Sequence, residues 1–389
     1  AHRTSPTNIG LFMLCVLCAR DLGLIDSESM SERLSHTMDT VEKLQKWEGN
    51  LLNWYDTKTL RPLHPRFCSA VDSGNFVCCL VALREGLLEY AHEQPSLAPL
   101  CGRIQAAVDQ TNLAAMYDPK KRLFHIGYDL ETGKLSSSYY DLLMSEARMM
   151  SYFAVARRQV PKKHWGALGR TLAVEGRYAG AVSWTGTMFE YYMPHLLLPA
   201  YEGSLLYESL GFCLYCQRKK ASERGLPWGC SESAYYAFDP QFQYQYKAHG
   251  IQRLGLKRMQ GKEYVLSPYS SFLALTTAPE LALRNLRRIK KLGATGEFGF
   301  YEAVDFTAKR CGGAPYAVVR SYMAHHVGMS MLSCANVAFG DVFVRRFMKD
   351  PDMARAVELL SEKAPVNGAV FDAVPERTVP EVPGRTRQM

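Results

Sequence analysis

The sequence lacks any apolar run long enough to cross a membrane. Its longest apolar stretch, residues 10 to 19, is shorter than the roughly 20 residues that a bilayer-spanning helix needs. The pattern of a secretory signal is also missing. Eleven cysteines are present, but their odd number and their scatter through apolar stretches disfavour a disulfide framework. We therefore expect a reducing, cytoplasmic setting and no direct membrane insertion by this segment.

Nucleic-acid and metal signatures are absent as well. The net charge of +8 arises from 46 basic and 38 acidic residues that are spread along the chain. The densest basic piece, residues 284–291, is typical of a solvated helix face and has no zinc-finger or RNA-binding motif beside it. Both C-x-x-C pairs, Cys15/Cys18 and Cys213/Cys216, lie in apolar helix-like runs instead of glycine-rich knuckles. We expect no nucleic-acid partner, no bound metal and no cofactor.

No stretch before residue 364 resembles a linker, and no repeat of about 30 to 50 residues marks a solenoid. The chain has 389 residues, of which 47% are hydrophobic, so a large core is available. We predict one catalytic domain over residues 1–363. The proline-rich tail, residues 364–389, is predicted to be extended or to act as a linker.

Helical periodicity dominates the predicted domain. Ser5 and Pro6 are typical of an N-cap followed by a first-position proline. Apolar residues at three-to-four spacing predict about twelve helices, near residues 5–18, 34–47, 74–91, 99–115, 138–158, 161–169, 184–193, 203–222, 267–275, 279–292, 316–337 and 351–362.

Two segments interrupt the helical pattern. Residues 123–128 and 134–138 flank a glycine turn and predict a β-hairpin. The glycine- and tyrosine-rich stretch 225–264 has weak periodicity and the length of a functional loop region. This order favours an all-α (α/α)6 toroid of antiparallel helix pairs, whose long loops build a cleft at one end. An α-solenoid is the alternative.

Four short clusters combine a carboxylate with aromatic and small residues. They centre on Glu146, Glu190, Glu232 and Glu302. Aromatic rings stack on the faces of sugars, and buried carboxyl groups exchange protons with the reacting oxygens. The clusters therefore predict a cleft that binds and cleaves carbohydrate.

Each carboxylate also has a structural interpretation. Glu146 falls within a predicted helix, where it either lies in the cleft or pairs with Arg148. Glu232 begins or ends an element and suits a helix N-terminus, which favours negative charge. Glu190 either contacts substrate or caps a short helix.

Further polar residues are candidates for substrate contact. Glu302 and Asp305 are three apart and share one face if the segment is helical, either toward a sugar or as a surface pair. Asp56 and Asp72 lie at apparent turns, where capping of the turn is the alternative.

Two polar pairs complete the set. Tyr140 and Asp141 precede Glu146 and are expected near the entrance of the same site. The pair His325 and His326 has no acidic or cysteine partner at metal-ligand spacing. It is therefore predicted to hydrogen-bond to a sugar or to a buried carboxylate.

Taken together, these motifs resemble the glycoamylase-like cyclization domain of bacterial cyclic β-1,2-glucan synthases. They run in order from about residue 3 to 362: T-S-P-T-N-I-G (4–10), N-W-Y-D (53–56), V-D-S-G-N (71–75), Y-Y-D-L-L (139–143), S-E-A-R (145–148), V-S-W (182–184), M-F-E-Y (188–191), the stretch 225–235, Y-E-A (301–303) and Y-M-A-H-H (322–326).

The resemblance implies an (α/α)6 barrel that acts on linear β-1,2-glucan and closes it into a ring by retaining transglycosylation. It also implies a larger synthase, in which a glycosyltransferase domain precedes this segment and a phosphorylase-like domain follows it. Such a segment would be the cytoplasmic part of an inner-membrane protein. The start at Ala1 without an initiator methionine and the proline-rich tail suit an excised segment.

The resemblance also assigns roles. Glu146 is implied as general acid/base and Glu232 as nucleophile of a retaining mechanism, with the reverse assignment left open. The candidates for stacking on sugar rings are Trp54, Trp184, Tyr191, Trp228 and Tyr235. A β-1,2-glucan endo-hydrolase of the same fold and a non-catalytic glucan-binding module are the alternative functions.

Overall fold

The computed structural model describes residues 2–258 and 262–363, and thirteen α-helices lie in that part of the chain. In chain order they are α1 (Pro6–Asp21), α2 (Ser27–Lys43), α3 (Ala70–Tyr90), α4 (Leu97–Gln110), α5 (Arg148–Ala156), α6 (Lys163–Ala167), α7 (Met188–Tyr192), α8 (Leu205–Glu223), α9 (Pro268–Leu273), α10 (Pro279–Lys290), α11 (Ala324–Ala338), α12 (Val342–Lys349) and α13 (Pro351–Arg355). The predicted tail, residues 364–389, lies outside the described residues.

Six of these helices form a closed inner ring. Helix α1 packs against α3 and α11, α3 against α5, α7 against α9, and α9 against α11. The ring closes between α5 and α7, where Arg148 Nη2 donates a hydrogen bond of 3.1 Å to the carbonyl of Tyr191. Each inner helix is followed along the chain by a helix packed against it, namely α2, α4, α6, α8, α10 or α12. The predicted (α/α)6 toroid is confirmed.

The distribution of apolar residues explains which helices lie inside. Helix α3 is apolar on nearly every side and buries most of its 21 residues, as a helix surrounded by others must. Helix α10 instead buries only Ala282, Asn285, Leu286 and Ile289, at helical spacing, and presents its arginines and lysines outward. The basic piece near residue 284 is thus the solvated helix face that the sequence predicts.

The inner helices α1 and α3 run parallel. Thr7 near the start of α1 donates a hydrogen bond of 2.6 Å to Asp72 near the start of α3. At the other end, Tyr90 donates one of 2.7 Å to Asp21. A helix of the 16 residues of α1 is about 24 Å long, so the barrel has two well-separated ends.

Gly74 allows α3 to approach α5 closely. A Cβ atom at Gly74 would lie 2.2 Å from the Cβ of Met150, which is closer than any real contact. The absence of a side chain therefore sets the spacing of the two helices, and with it the distance between the start of α3 and the segment before α5.

Nineteen short strands form eight antiparallel sheets of two or three strands within the described residues. They are β1 (Arg3–Thr4), β2 (Lys46–Trp47), β3 (Asn50–Leu51), β4 (Tyr55–Asp56), β5 (Phe67–Ser69), β6 (Tyr117–Asp118), β7 (Leu123–His125), β8 (Gly127–Asp129), β9 (Lys134–Leu135), β10 (Tyr139–Tyr140), β11 (Leu172–Glu175), β12 (Tyr178–Ala181), β13 (Glu232–Phe238), β14 (Tyr244–Ala248), β15 (Val265–Leu266), β16 (Thr295–Gly296), β17 (Gly299–Phe300), β18 (Ala303–Asp305) and β19 (Ala317–Val319).

Two predicted helices begin later than expected. The helix predicted over 138–158 starts at Arg148, because Tyr139 and Tyr140 pair with strand β7. The helix predicted over 316–337 starts at Ala324, because residues 317–319 pair with strand β18. In both cases, pairing with a distant strand overrides a local helical pattern.

The strands near the predicted hairpin pair differently from the prediction. The turn around Gly133 does join a hairpin, β8 to β9, but β7 pairs with β6 and β10 instead. The stretch 225–264, predicted as a loop region, contains the hairpin of β13 and β14. Its alternating tyrosines and polar residues are a strand pattern, and a turn at Asp239 separates the two strands.

No single helix in residues 2–258 and 262–363 is both long and apolar enough to cross a membrane. Helices α11 and α12 reach that length and composition only together, and they are bent by 91° relative to each other.

Candidate active site

The N-terminal ends of the inner helices bring polar side chains together in one cluster. Asp72 lies in the first turn of α3, Glu146 two residues before α5, and Glu190 in the first turn of α7. Tyr269 lies at the start of α9 and His326 at the start of α11. Each of these ends carries a partial positive charge that favours nearby carboxylates. The fold thus places the site at one end of the barrel.

Glu146 lies in the loop before α5 and not inside a helix as predicted. The ion pair with Arg148 does not form, because Arg148 Nη1 and Nη2 donate to the carbonyls of Leu143 and Tyr191 at 3.1 Å. Burial raises the pKa of Glu146 well above its usual value, and the nearby charges of Glu232 and Asp72 raise it further. The Asn75 amide hydrogen-bonds to the carboxyl and opposes that shift.

Glu232 is the first residue of strand β13 and lies close enough to Glu146 for its charge to raise the pKa of that carboxyl. Burial raises the pKa of its carboxyl to about 7, with a further contribution from Glu190, while a hydrogen bond from the Tyr246 hydroxyl acts in the opposite direction. Its backbone carbonyl accepts a hydrogen bond of 2.8 Å from Tyr269. Both Glu232 and Glu146 keep part of their surface exposed, so a substrate has access to them.

Asp72 and Tyr140 border the two glutamates. Asp72 accepts the hydrogen bond from Thr7, and burial raises the pKa of its carboxyl. Tyr140, on strand β10, lies close enough to Glu146, Asp72 and Glu232 for their charges to raise the pKa of its phenol, after burial as the main cause. The structure thus brings both of these predicted residues into the cluster.

Glu302 and Asp305 are neither helical nor a surface pair. Both are buried, and Asp305 pairs with Arg310 at 2.6 Å. Glu302 contacts His326 Nδ1 with both carboxyl oxygens at 3.0 Å. The predicted contact between the histidine pair and a buried carboxyl group is therefore present, and it is made by His326, while His325 lies beside it with the two ring centroids 4.1 Å apart.

Glu190 is engaged as a helix cap. It forms a capping box with Thr187, and its carboxylate accepts hydrogen bonds from the hydroxyls of Ser183, Thr185 and Thr187 at 2.9, 2.6 and 2.9 Å. The backbone N–H groups of Thr185 and Thr187 donate to it as well. The capping alternative thus accounts for its contacts, and its charge raises the pKa of Glu232.

The predicted stacking residues fall into two groups. Tyr191 and Trp228 are buried in the core, with Tyr191 donating to the carbonyls of Ala181 and Leu254. Neither ring presents a face to a ligand, because apolar neighbours cover both. These two expectations are corrected.

The other stacking candidates are accessible to different degrees. Trp184 is 58% exposed. Trp54 is partly buried and has the guanidinium of Arg3 over its ring at 4.6 Å. Tyr235 has Lys247 and Arg310 over its ring at 4.8 and 4.7 Å. Trp184 therefore offers the most open aromatic surface of the five.

Asp56 and Asp141 lie apart from the cluster of acids. Asp56 accepts hydrogen bonds from the backbone N–H groups of Lys58 and Thr59 at 2.9 and 2.7 Å, which lower the pKa of its carboxyl. It therefore caps a turn. Asp141 is exposed, and its backbone carbonyl accepts a hydrogen bond of 2.6 Å from Gly169.

The sequence interpretation missed three residues of the cluster. Tyr246 hydrogen-bonds to the Glu232 carboxyl, and Tyr269 hydrogen-bonds to the Glu232 backbone carbonyl. Asn75 hydrogen-bonds to the Glu146 carboxyl. The alternation around Tyr246 was the available signal for a strand that carries it into the site. Nothing local to Tyr269 distinguishes it from an ordinary core tyrosine.

The carboxyl groups of the cluster lack cationic partners among the described residues. Within residues 2–258 and 262–363, no arginine or lysine forms an ion pair with Asp72, Glu146, Glu232 or Glu302. These residues also contain no group of three or more side chains arranged to hold a metal ion. Carboxyl groups that lie close together without a cationic partner repel each other's charge, so their pKa values move apart. The pKa of Glu146 is accordingly raised well above its usual value, and that of Glu232 is raised to about 7, in both cases with burial as the main cause.

The chain is similar to known proteins. The glycoamylase family model, described as "Putative glucoamylase", matches residues 138–351. The cyclic β-(1,2)-glucan synthase NdvB of Rhizobium meliloti is 32% identical over 508 residues, a match that covers 99% of this chain and 18% of the synthase. The chain thus spans less than a fifth of the length of that relative.

Solved structures share the fold. An endo-β-1,2-glucanase from Chitinophaga pinensis, in complex with sophorotriose and glucose, superposes with a TM-score of 0.74 at 16% identity, over 92% of this chain and 88% of the other. An endo-β-1,2-glucanase mutant from Talaromyces funiculosus, in complex with β-1,2-glucan, has a TM-score of 0.72 at 13% identity, over 95% and 86%. At these identities the likeness establishes the architecture.

Proposed function

The chain belongs to the glycoamylase family, and from that premise we propose that it closes linear β-1,2-glucan into a ring by retaining transglycosylation. The observation that carries the proposal is the pair Glu146 and Glu232, two neighbouring carboxyl groups whose pKa values are raised and which have no cationic partner among the described residues. A retaining mechanism needs one protonated and one ionised carboxyl group. The similarity over nearly the whole chain to a cyclic β-(1,2)-glucan synthase supports the choice of substrate.

In the first proposed step, the Glu232 carboxylate attacks C1 of a glucosyl unit. The bond from C1 to O2 of the next unit breaks, and Glu146 transfers its proton to that O2. A covalent glycosyl-enzyme remains, and the reducing-end portion of the chain leaves. The higher proton affinity of Glu146 supports its role as the acid.

In the second proposed step, Glu146 acts as a base. It takes the proton from a 2-hydroxyl at the non-reducing end of the same glucan, whose oxygen attacks C1 and releases the Glu232 carboxylate. A β-1,2 linkage is formed again, and the product is a ring. Because water would give a linear product, the acceptor hydroxyl must reach C1 first.

We further propose that residues 1–363 form one catalytic domain of a larger synthase. A glycosyltransferase domain that polymerises the glucan and a phosphorylase-like domain that controls its length are the proposed partners. The length of the R. meliloti relative leaves room for both. A cytoplasmic position beside the inner membrane is part of the same proposal.

Mass analysis of the products tests the proposal. Incubation with linear β-1,2-glucan is expected to give species that are one water lighter than the linear chains of the same length, without a net gain of reducing ends. Linear products of mixed length, with new reducing ends and no lighter species, would contradict cyclization.

Azide rescue tests the two roles separately. In Glu232→Gly, azide should displace the leaving group directly and give the α-glucosyl azide if Glu232 is the nucleophile. In Glu146→Gly, azide should attack the covalent intermediate and give the β-glucosyl azide. The opposite pattern of anomers would establish the reverse assignment.

An endo-hydrolase of β-1,2-glucan is the second candidate, because solved structures of such enzymes share this fold. It predicts one new reducing end for every bond broken. A non-catalytic glucan-binding module is the third, and it predicts binding without turnover that survives both Glu146→Gln and Glu232→Gln.

A further inference from the structure

Three side chains outside the proposed catalytic pair form a hydrogen-bonded chain that ends at Glu232. Glu302 contacts His326 Nδ1 at 3.0 Å, and the Nε2 atoms of His326 and of the adjacent His325 each lie 3.4 Å from the Tyr246 hydroxyl. The Tyr246 hydroxyl in turn hydrogen-bonds to the Glu232 carboxyl. The four side chains come from the segment before β18, from α11, from β14 and from β13. They therefore come together only in the folded chain.

Resting on the proposed role of Glu232 as nucleophile, we propose that Glu302, His326 and Tyr246 form a relay in which every donor points toward Glu232 and holds it as a carboxylate. Tyr246 contacts the reacting carboxylate itself. His326 and Glu302 act through Tyr246 and are positioning residues.

The proposed direction of the relay takes Glu302 in its protonated form. The Ala234 N–H group donates to Glu302 Oε1 at 3.1 Å, so that oxygen is an acceptor. A proton on Oε2, which lies 3.0 Å from His326 Nδ1, then donates to the ring. Nε2 carries the ring hydrogen and donates to the Tyr246 oxygen, which leaves the phenol hydrogen for Glu232.

Burial favours the neutral forms that this direction requires. It raises the pKa of Glu302 to about 7 and lowers the pKa of His326 to about 3. A neutral imidazole between a carboxylic acid and a phenol accepts a hydrogen bond from the acid at one nitrogen and donates one to the phenol at the other. None of the three groups then carries a charge. Each member therefore remains buried without an isolated charge.

Tyr269 fixes the geometry of the relay. Its ring is stacked on the ring of His326, with centroids 3.8 Å apart and planes 12° from parallel. Its hydroxyl donates to the Glu232 carbonyl at 2.8 Å and lies 2.7 Å from Ser231 Oγ. Tyr269 thus contacts both the ring of His326 and the backbone of Glu232.

Other titratable groups also face Glu232, and their charges are of one sign. They are Asp72 on α3, Tyr140 and Glu146 before α5, Glu190 on α7 and Tyr269 on α9, with His325 beside His326 on α11. Lys247 pairs with Glu263 at 2.6 Å, and it lies on the opposite face of the hairpin, because side chains alternate along a strand. Tyr246 is therefore the group that counteracts the acidic surroundings of Glu232.

The relay suits a nucleophile that must also leave. A hydrogen bond to the carboxylate lowers the pKa of Glu232, so the group is ionised before attack and is a better leaving group when the glycosyl ester is cleaved. The proton stays on Tyr246 throughout, and no co-reactant is needed.

Tyr246→Phe is the primary test. Because Tyr246 is 38% exposed, the variant is expected to fold, and loss of its hydrogen bond should move the acid limb of the kcat/KM profile upward by about one pH unit. Tyr244→Phe is the matched control on the same strand, where the ring packs on Phe238, and it should leave the limb unchanged. An unshifted limb in Tyr246→Phe would overturn the proposal.

His326→Phe tests whether the histidine acts through Tyr246. It should keep the stacking on Tyr269 and move the acid limb in the same direction by a smaller amount. The double variant with Tyr246→Phe should shift no further than Tyr246→Phe alone. Additive shifts, or a lower melting temperature without any shift, would show a merely structural role.

Glu302→Gln tests the direction of the relay. The Gln side chain can accept from Ala234 N–H and donate to His326 Nδ1, as the protonated acid does. The acid limb should therefore stay where the wild type has it. A shift as large as that of Tyr246→Phe would mean that Glu302 acts as a charge, and it would overturn the proposed direction.

A titration without substrate separates this proposal from the proposed function. The ¹³C carboxyl resonance of Glu232, assigned as the one missing in Glu232→Gln, should titrate at higher pH in Tyr246→Phe than in the wild type. This result stands even if the products are linear. An unchanged titration would reject the relay even if the products are cyclic.

Discussion

Two groups of buried carboxyl groups lie at opposite ends of the parallel helices α1 and α3. At the C-terminal end, Asp21, whose side chain is buried, pairs with Arg346 at 2.6 Å, and Arg346 also pairs with the exposed Glu89 at 2.8 Å. Arg84 pairs there with the buried Glu85 and Asp350. At the N-terminal end, the acids of the candidate site have no such partners among the described residues. The same residue type thus has two different environments in one barrel.

The comparison separates structural from functional acids. A buried carboxylate with an arginine stays ionised and fixes the packing of helices, although it adds little net stability. A buried carboxylate among other acids has a raised pKa and destabilises the fold when it ionises. Replacement of an acid by its amide should therefore have opposite effects on the free energy of unfolding at the two ends of the barrel.

The largest expected effect is on turnover. Glu146→Gln and Glu232→Gln should each lower kcat/KM by about a thousandfold or more, because each removes a group that acts on the reacting bond. The measurement is turnover of linear β-1,2-glucan. Asp21→Asn, assayed at a temperature where it is folded, should retain activity close to that of the wild type. Comparable losses of kcat/KM in all three variants would contradict the distinction between structural and functional acids.

The next effect is on stability at the arginine-rich end. Asp21→Asn should lower the free energy of unfolding by about 3 kcal/mol, since it leaves a buried guanidinium only partly compensated. Denaturant unfolding gives the value. Asp39→Asn is the control, because Asp39 also pairs with an arginine at 2.6 Å but is half exposed, and it should cost less than about 1 kcal/mol.

A smaller effect of opposite sign is expected in the site. Glu232→Gln should raise the free energy of unfolding by roughly 1–3 kcal/mol near pH 8. The pKa of Glu232 is raised to about 7 in the folded state, so the wild type loses stability as pH rises from the unfolded value near 4.5 through 7. The gain should disappear below about pH 4, where the carboxyl is mostly neutral in both states. A gain that is independent of pH would point to packing instead.

The smallest effect concerns the exposed aromatic surface. Trp184→Ala should raise KM for the glucan roughly two- to tenfold, with kcat nearly unchanged, because a stacked ring contributes modest binding. Trp228→Phe is the contrasting change in the core, and it should lower the melting temperature without changing KM. A KM effect at Trp228 alone would reverse the assignment of these two rings.

Much of the fold could be predicted from the sequence, because apolar periodicity is local. The twelve predicted helices correspond to elements of the barrel, and Ser5 does cap α1 through the backbone N–H of Asn8. Helix α12 was not predicted, and the helix predicted over 34–47 lies at Ser27–Lys43. Two further errors occur where a distant strand takes over a segment. Residues 139–140 and 317–319 became strands because β7 and β18 offer them hydrogen-bonding edges.

The candidate site was predicted less evenly. Glu146, Glu232, Asp72 and Tyr140 do lie together. Trp228 and Tyr191 are buried, since an aromatic residue beside an acid serves equally well as core. Tyr246 was missed because its importance depends on the register of a hairpin that a loop-like composition concealed.

The sequence by itself determined the barrel and the acids available to it, because helix periodicity and residue identity are properties of short segments. Only the tertiary structure decided which acids have partners. Asp21 meets Arg346, more than three hundred residues away along the chain, whereas Glu232 meets other acids and Tyr246. A carboxyl group acquires its proton affinity from neighbours that folding brings to it, and these neighbours are not adjacent in the sequence.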